Sequence, residues 1–273
     1  MKLFCKILPE QEIREKLKSI EHVDFSLFVE SLPQTNEDLS ELNVLVLIEP
    51  NGYFGHSDWA IKNKDLFSLI ITWDQRVLNN CPNAVFLGFG HTWFKPEQYT
   101  KKHDKKFQIS HLCGALLKTY GQSLRHEILA RENEITSIPK KFFPTYGDRH
   151  NIEEARIGKE EVFGDSQYGI AIENFSHKGY FSEKILDCFL LRTIPIYWGC
   201  SNIGDYFNKD GIIQFQNIDD LITKVNKLEE LKYHNNWTQS AVEENYQLAL
   251  KYVDYSQNMV DKITEIFTLN KIL

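Results

Sequence analysis

The chain has 273 residues, with 38 acidic against 31 basic side chains and a net charge of −7. That balance excludes a general nucleic-acid binder, whose affinity for the phosphate backbone needs a basic surface that releases counterions. It leaves room for a local basic pocket around one nucleotide. The length allows one large or two modest domains, and 42% hydrophobic residues supply a sizeable core.

In chain order, residues 1–8 and 44–48 read as strands, and the Val-Leu-Val-Leu-Ile run of the second is of the buried parallel type. Between them residues 11–17 read as helical and 33–42 as a loop with a short helix. Two further strands are expected at residues 66–73 and 84–88, completing an α/β domain over 1–103. Residues 95–106, with Pro96 and five lysines, lack apolar periodicity and read as an interdomain linker. A second α/β domain is expected over 104–273: a strand at 107–113, a helix at 123–134, a strand-helix-strand unit over 168–199, a strand at 212–215, and helices at 218–231, 236–252 and 257–267. Residues 146–163 carry no clear assignment. The five cysteines have neither zinc spacing nor a C-x-x-C pair, and most sit in apolar runs, which predicts a reducing compartment. Lys6 and Pro9 break the N-terminal apolar stretch before a signal-peptide core forms, and the longest apolar run, residues 66–73, is far short of a bilayer span.

The chemistry concentrates in residues 168–199. A buried strand ends at Glu173-Asn174, a polar loop carries Gly179, and a helix and a second buried strand ending at Gly199 follow. On a helix, Tyr180, Glu183, Lys184 and Asp187 fall at i, i+3, i+4 and i+7 and share a polar face. A helix start beside the carboxyl end of a parallel strand suits an anion such as a diphosphate, and Lys184 would add charge to that field. Gly88-Phe-Gly90 lacks the third glycine and the helix of a dinucleotide fingerprint, which argues against a Rossmann dehydrogenase.

Glu173-Asn174, Tyr180 six residues beyond that Asn, Glu183-Lys184, and Thr193 to Gly199 followed by Asn202-Ile-Gly-Asp-Tyr206-Phe together resemble the signature of the α-1,3/4-fucosyltransferases, glycosyltransferase family 10. The resemblance implies a GT-B-like α/β fold, two Rossmann-like domains facing across a cleft, with 1–103 on the acceptor side and 104–273 binding the nucleotide sugar. It implies an inverting transfer of fucose from GDP-fucose to a glycan hydroxyl, with the donor held by Arg125, Glu173, Asn174, Tyr180, Glu183 and Lys184. Glu183 would suit the ribose hydroxyls, and Lys184 and Arg125 the diphosphate. Glu49, after the strand at 44–48 and before Pro50-Asn51, is similar to the glutamate assigned in that family as catalytic base; the plainer reading is a capping residue, and His56, Asp58 and Asp74 are alternatives. No Asp-x-Asp motif is present and no metal cofactor is expected. Eukaryotic enzymes of this type carry an N-terminal membrane helix and stem, and the lack of both here predicts a cytoplasmic enzyme of bacterial or viral origin with no transmembrane segment. The sequons at Asn174 and Asn236 are then chance matches. The competing class is a non-catalytic nucleotide-sugar or glycan-binding protein on the same scaffold, or a transferase using another GDP-hexose.

Overall fold

The computed structural model describes residues 1–144, 152–228 and 236–272, the side chains of 152–157 and 236–237 apart. Met1–Phe89 with Asp254–Leu273 forms one compact unit and Gly90–Val253 a second. Each is built on a five-stranded parallel sheet.

In the first unit the strands are β1 (Lys2–Cys5), β2 (Phe25–Val29), β3 (Leu42–Leu47), β4 (Leu69–Thr72) and β5 (Ala84–Phe86), paired in sequence order. Helices α1 (Glu10–Lys16), α2 (Asn51–Phe54), α3 (His56–Lys62) and α4 (Gln75–Asn80) lie between them. Side chains alternate across the pleat. Leu27, Val29, Val44, Val46 and Ile71 pack with Ile13 and Leu17 on one face, whereas Phe28, Leu45, Leu47 and Ile70 pack with Ala60 and Val77 on the other. Parallel strands covered on both faces need near-continuous apolar runs, which β3 and β4 supply.

The second unit contains α5 (Pro96–Thr100), β6 (Lys106–Cys113), α6 (Tyr120–Ala130), β7 (Lys140–Pro144), α7 (Ile152–Phe163), β8 (Ser166–Ile172), α8 (Glu183–Leu190), β9 (Ile194–Trp198), β10 (Ile213–Gln214), α9 (Ile218–Asn226) and α10 (Asn236–Ala249). Its strand order is β10-β9-β8-β6-β7. The chain steps outward from β6 to β7, returns to β8 and continues the other way, so the order reverses between β6 and β8. In open α/β sheets a ligand binds outside the carboxyl ends of the strands at such a reversal.

Four features differ from the sequence reading. Strands β2 and β7 were not expected, being short and flanked by charge. Residues 95–106 belong within the second unit: Phe94 is in its core, the Thr92 hydroxyl donates to Asp187 at 2.9 Å, and Gln98 donates to Glu160 at 2.7 Å. Tyr180 precedes α8 instead of riding on it, and Asp187 is buried against Lys159 at 2.7 Å. The last helix, α11 (Tyr255–Leu269), returns to the first unit, where Tyr255, Met259, Val260, Ile263 and Phe267 join the core of β1, β2 and β3. The unassigned residues 146–150 and the expected helix end at Leu231 lie outside the described residues. Among the described residues no helix is long and apolar enough to cross a membrane.

Candidate functional site

The carboxyl edge of the second sheet gathers all six expected donor-site residues. Arg125 leaves the second turn of α6, after β6, and reaches the end of β8: its Nε donates to the Ile172 carbonyl at 3.1 Å and its Nη2 to the Asn174 side-chain oxygen at 3.0 Å. Close approach of the two segments depends on Gly121, whose amide donates to the Asn174 carbonyl at 3.2 Å. A Cβ there would lie 1.8 Å from the Glu173 carbonyl oxygen, a backbone atom that has little room to yield. Behind Arg125, a ring nitrogen of the buried His111 meets the Arg125 carbonyl at 3.1 Å.

Ser182 caps α8, and Glu173 clamps that cap. The Glu173 carboxylate is fully buried and accepts from the Ser182 amide at 2.9 Å and from its hydroxyl at 2.5 Å. Lys184 spans the two carboxylates, with Nζ 2.8 Å from Glu183 and 3.7 Å from Glu173, and donates to the Ser182 hydroxyl at 3.0 Å. Burial pushes the Glu173 carboxyl above its ordinary range, against the pull of Lys184, and the Glu183 charge adds to the rise. Burial acts the same way on Glu183, but the Lys184 and Lys159 ammonium groups outweigh it and hold that carboxyl well below the usual range. Burial works against the Lys184 ammonium, and the two carboxylates overcome it, so its pKa stands above ordinary. Arg125 is pulled down by burial and supported by Glu173 and Glu183.

These contacts separate the six residues by accessibility. Glu173 and Tyr180 are buried, whereas Arg125, Asn174, Glu183 and Lys184 remain partly open. Glu173 therefore acts behind the surface, fixing the start of α8 and the place of Lys184. The loop between them is tied by Asn202, whose oxygen accepts from the Gly179 amide at 2.9 Å, and by the Ser176 hydroxyl on the Gly199 carbonyl at 2.7 Å. Ser182 was missed from sequence, although a serine followed by Glu-Lys and an apolar run is a legible cap signal.

The first unit carries Glu49, half-buried in the turn between β3 and α2. Its amide and that of Ile48 donate to one oxygen of Glu30, at 2.8 and 2.6 Å, and Trp73 Nε1 donates to the Ile48 carbonyl at 2.6 Å. The turn is thus pinned from both sides. Glu30 was missed because β2 was missed, yet the pattern is the same at both places: an apolar run closed by glutamate. Of the alternative bases, Asp58 and Asp74 share Arg76 at 2.9 Å each, and Asp74 caps α4. His56 Nδ1 lies 2.8 Å from Glu30. Among the described residues no group of three or more His, Cys, Asp or Glu side chains is placed to hold a metal ion.

Two α/β units, each on a parallel sheet, define the GT-B class of glycosyltransferase fold. The chain shares that fold with the crystal structure of an α1,3-fucosyltransferase bound to GDP-fucose, at a TM-score of 0.54 and 17% identity, over 89% of this chain and 81% of that one. It also matches a point mutant of S. aureus TarM, solved with Fondaparinux, alpha-GlcNAc-glycerol and UDP, at a TM-score of 0.57 and 12% identity, over 94% of this chain and 59% of that one. In sequence it resembles the α-1,3-fucosyltransferases. It is 33% identical over 73 residues to the alpha-(1,3)-fucosyltransferase FucT of Helicobacter pylori, covering 26% of this chain and 15% of that protein. It is 32% identical over 72 residues to the putative fucosyltransferase R654 of Acanthamoeba polyphaga mimivirus, covering 25% of this chain and 12% of that protein. The matched stretch is thus a small part of either curated relative. No family model matches the chain.

Proposed function

We propose that this protein is an inverting glycosyltransferase that moves fucose from GDP-fucose to a hydroxyl of a glycan acceptor, without a metal cofactor. The observation that carries the reading is the convergence of Arg125, Asn174, Glu183 and Lys184 at the strand-order reversal of the second sheet. Lys184 and Arg125 meet the diphosphate, and their charge gains value as negative charge develops on the leaving group. Glu183 accepts from the ribose diol, Asn174 and Tyr180 border the donor, and Glu173 holds the cap that sets Lys184. The acceptor oxygen attacks C1 of fucose on the face opposite GDP, the C1–O bond breaks with its electron pair leaving on GDP, and Glu49 takes the hydroxyl proton. A cytoplasmic location belongs to the same reading.

The test pairs binding with turnover. GDP should raise the melting temperature in the presence of EDTA, by mass action on the folded state, and UDP should do so less. Glu49→Gln should leave GDP affinity within about twofold and lower transfer by roughly two to four powers of ten. Equal response to both nucleotides, or undiminished transfer by Glu49→Gln, would overturn the donor or the base assignment respectively. GDP binding with no transfer to any glycan by the native protein would favour the binding-module class.

A further inference from the structure

Glu30 immediately follows β2 with φ of 48°, in the left-handed region that costs a non-glycine residue about 1 kcal/mol or more. Its carboxylate is fully buried, and both oxygens are engaged: one receives the Ile48 and Glu49 amides at 2.6 and 2.8 Å, the other faces His56 Nδ1 at 2.8 Å. His56 opens α3, stacks on Phe54 with ring centres 5.2 Å apart, and keeps 14% of its side chain exposed. Lys6 covers that Phe54 ring at 4.1 Å. Glycine would fit the backbone here without strain, so the use of a buried carboxylate calls for a chemical reason.

A carboxylate oxygen accepts, so the Nδ1 that meets it at 2.8 Å carries a proton, and in an imidazole bearing that one proton Nε2 keeps a lone pair. We infer that Glu30 is a positioning residue that fixes both the Glu49 turn and the tautomer of His56, and that His56 Nε2 accepts a hydrogen bond from a hydroxyl of the sugar acceptor. The second part rests on the transferase reading; the first stands on geometry. Glu49 removes the proton from the attacking hydroxyl, and His56 orients the acceptor through another.

Imidazole nitrogen NMR of the native protein, at a pH above the ordinary imidazole range, reads the tautomer directly. Nδ1–H with bare Nε2 is expected, and Nε2–H overturns the inference. Glu30→Gln keeps an oxygen for the two amides but turns its NH₂ toward Nδ1, which should switch His56 to the Nε2–H form. In transfer assays His56→Phe should raise the acceptor KM about tenfold, the cost of one lost hydrogen bond, with kcat and GDP affinity within about twofold, and Glu30→Gln, whose His56 Nε2–H still donates to the same hydroxyl oxygen, should raise it by less. The double variant should match His56→Phe alone. An unchanged acceptor KM in His56→Phe, or additive losses in the double variant, rejects the hydroxyl contact; His56→Phe decides that point even if Glu30→Gln fails to fold. Absence of transfer by the native protein defeats the transferase reading and the hydroxyl contact with it, while the tautomer measurement decides the Glu30–His56 pairing independently.

Discussion

Removing the Lys184 ammonium leaves the Glu173 and Glu183 carboxylates facing each other with the shared cation gone. Lys184→Ala should therefore do two things: weaken GDP binding with transfer slowed on the order of a hundredfold, and lower stability by about 2 kcal/mol through the uncompensated buried charge. Calorimetric GDP titration and urea unfolding check the two separately. Undiminished turnover would assign Lys184 to structure alone. His111 gives a second residue-scale expectation. Burial pulls its pKa from 6.5 down to about 4, so the folded protein keeps it neutral while the unfolded chain takes up a proton. The unfolded state binds more protons across that window, and stability falls as pH drops from 6.5 to 4, by up to about 3 kcal/mol. Urea midpoints at several pH values should show this slope, and His111→Phe should flatten it.

At the scale of elements, the start of α8 is where the site is built. The Ser182 hydroxyl accepts the Lys184 amide only at 3.5 Å, so the cap itself is weak, whereas the hydroxyl donates to buried Glu173 at 2.5 Å and the Ser182 amide does so at 2.9 Å. Ser182→Ala should cost about 2–3 kcal/mol, chiefly from the buried Glu173 oxygen that loses its donor. It should also raise the KM for the GDP-sugar, because Lys184 is no longer fixed. Ser182→Thr should restore most of both, and an alanine variant of native stability would deny the clamp. The βαβ unit and its edge residues were legible because apolar strands, a glycine loop and an amphipathic helix leave strong local signals. Glu173 was legible as a strand-end carboxylate, but its use behind the surface was not, since only the three-dimensional return of Ser182 shows which way it turns. Glu30 was illegible for a related reason: β2 is five residues long, and its meaning comes from pairing between β1 and β3.

On the scale of the whole molecule, two α/β halves were readable from the alternation of strands and helices, but the destination of the last helix was not. Its amphipathic stripe shows that one face is buried, and nothing local says against which sheet. Phe267 is 1% exposed and meets Phe25 edge-on at 5.3 Å. Phe267→Ala should cost about 3–5 kcal/mol and speed hydrogen exchange in β2 and β3; native protection there would remove α11 from the first unit's core. This closure also sets an order of events during synthesis. The core of the first unit lacks Tyr255 to Phe267 until residues 90–253 have been translated, whereas the second unit has its whole sequence available earlier. The half translated first is therefore the half completed last. Its uncovered β-sheet face must wait through the making of the other unit, exposed to chaperones and to aggregation.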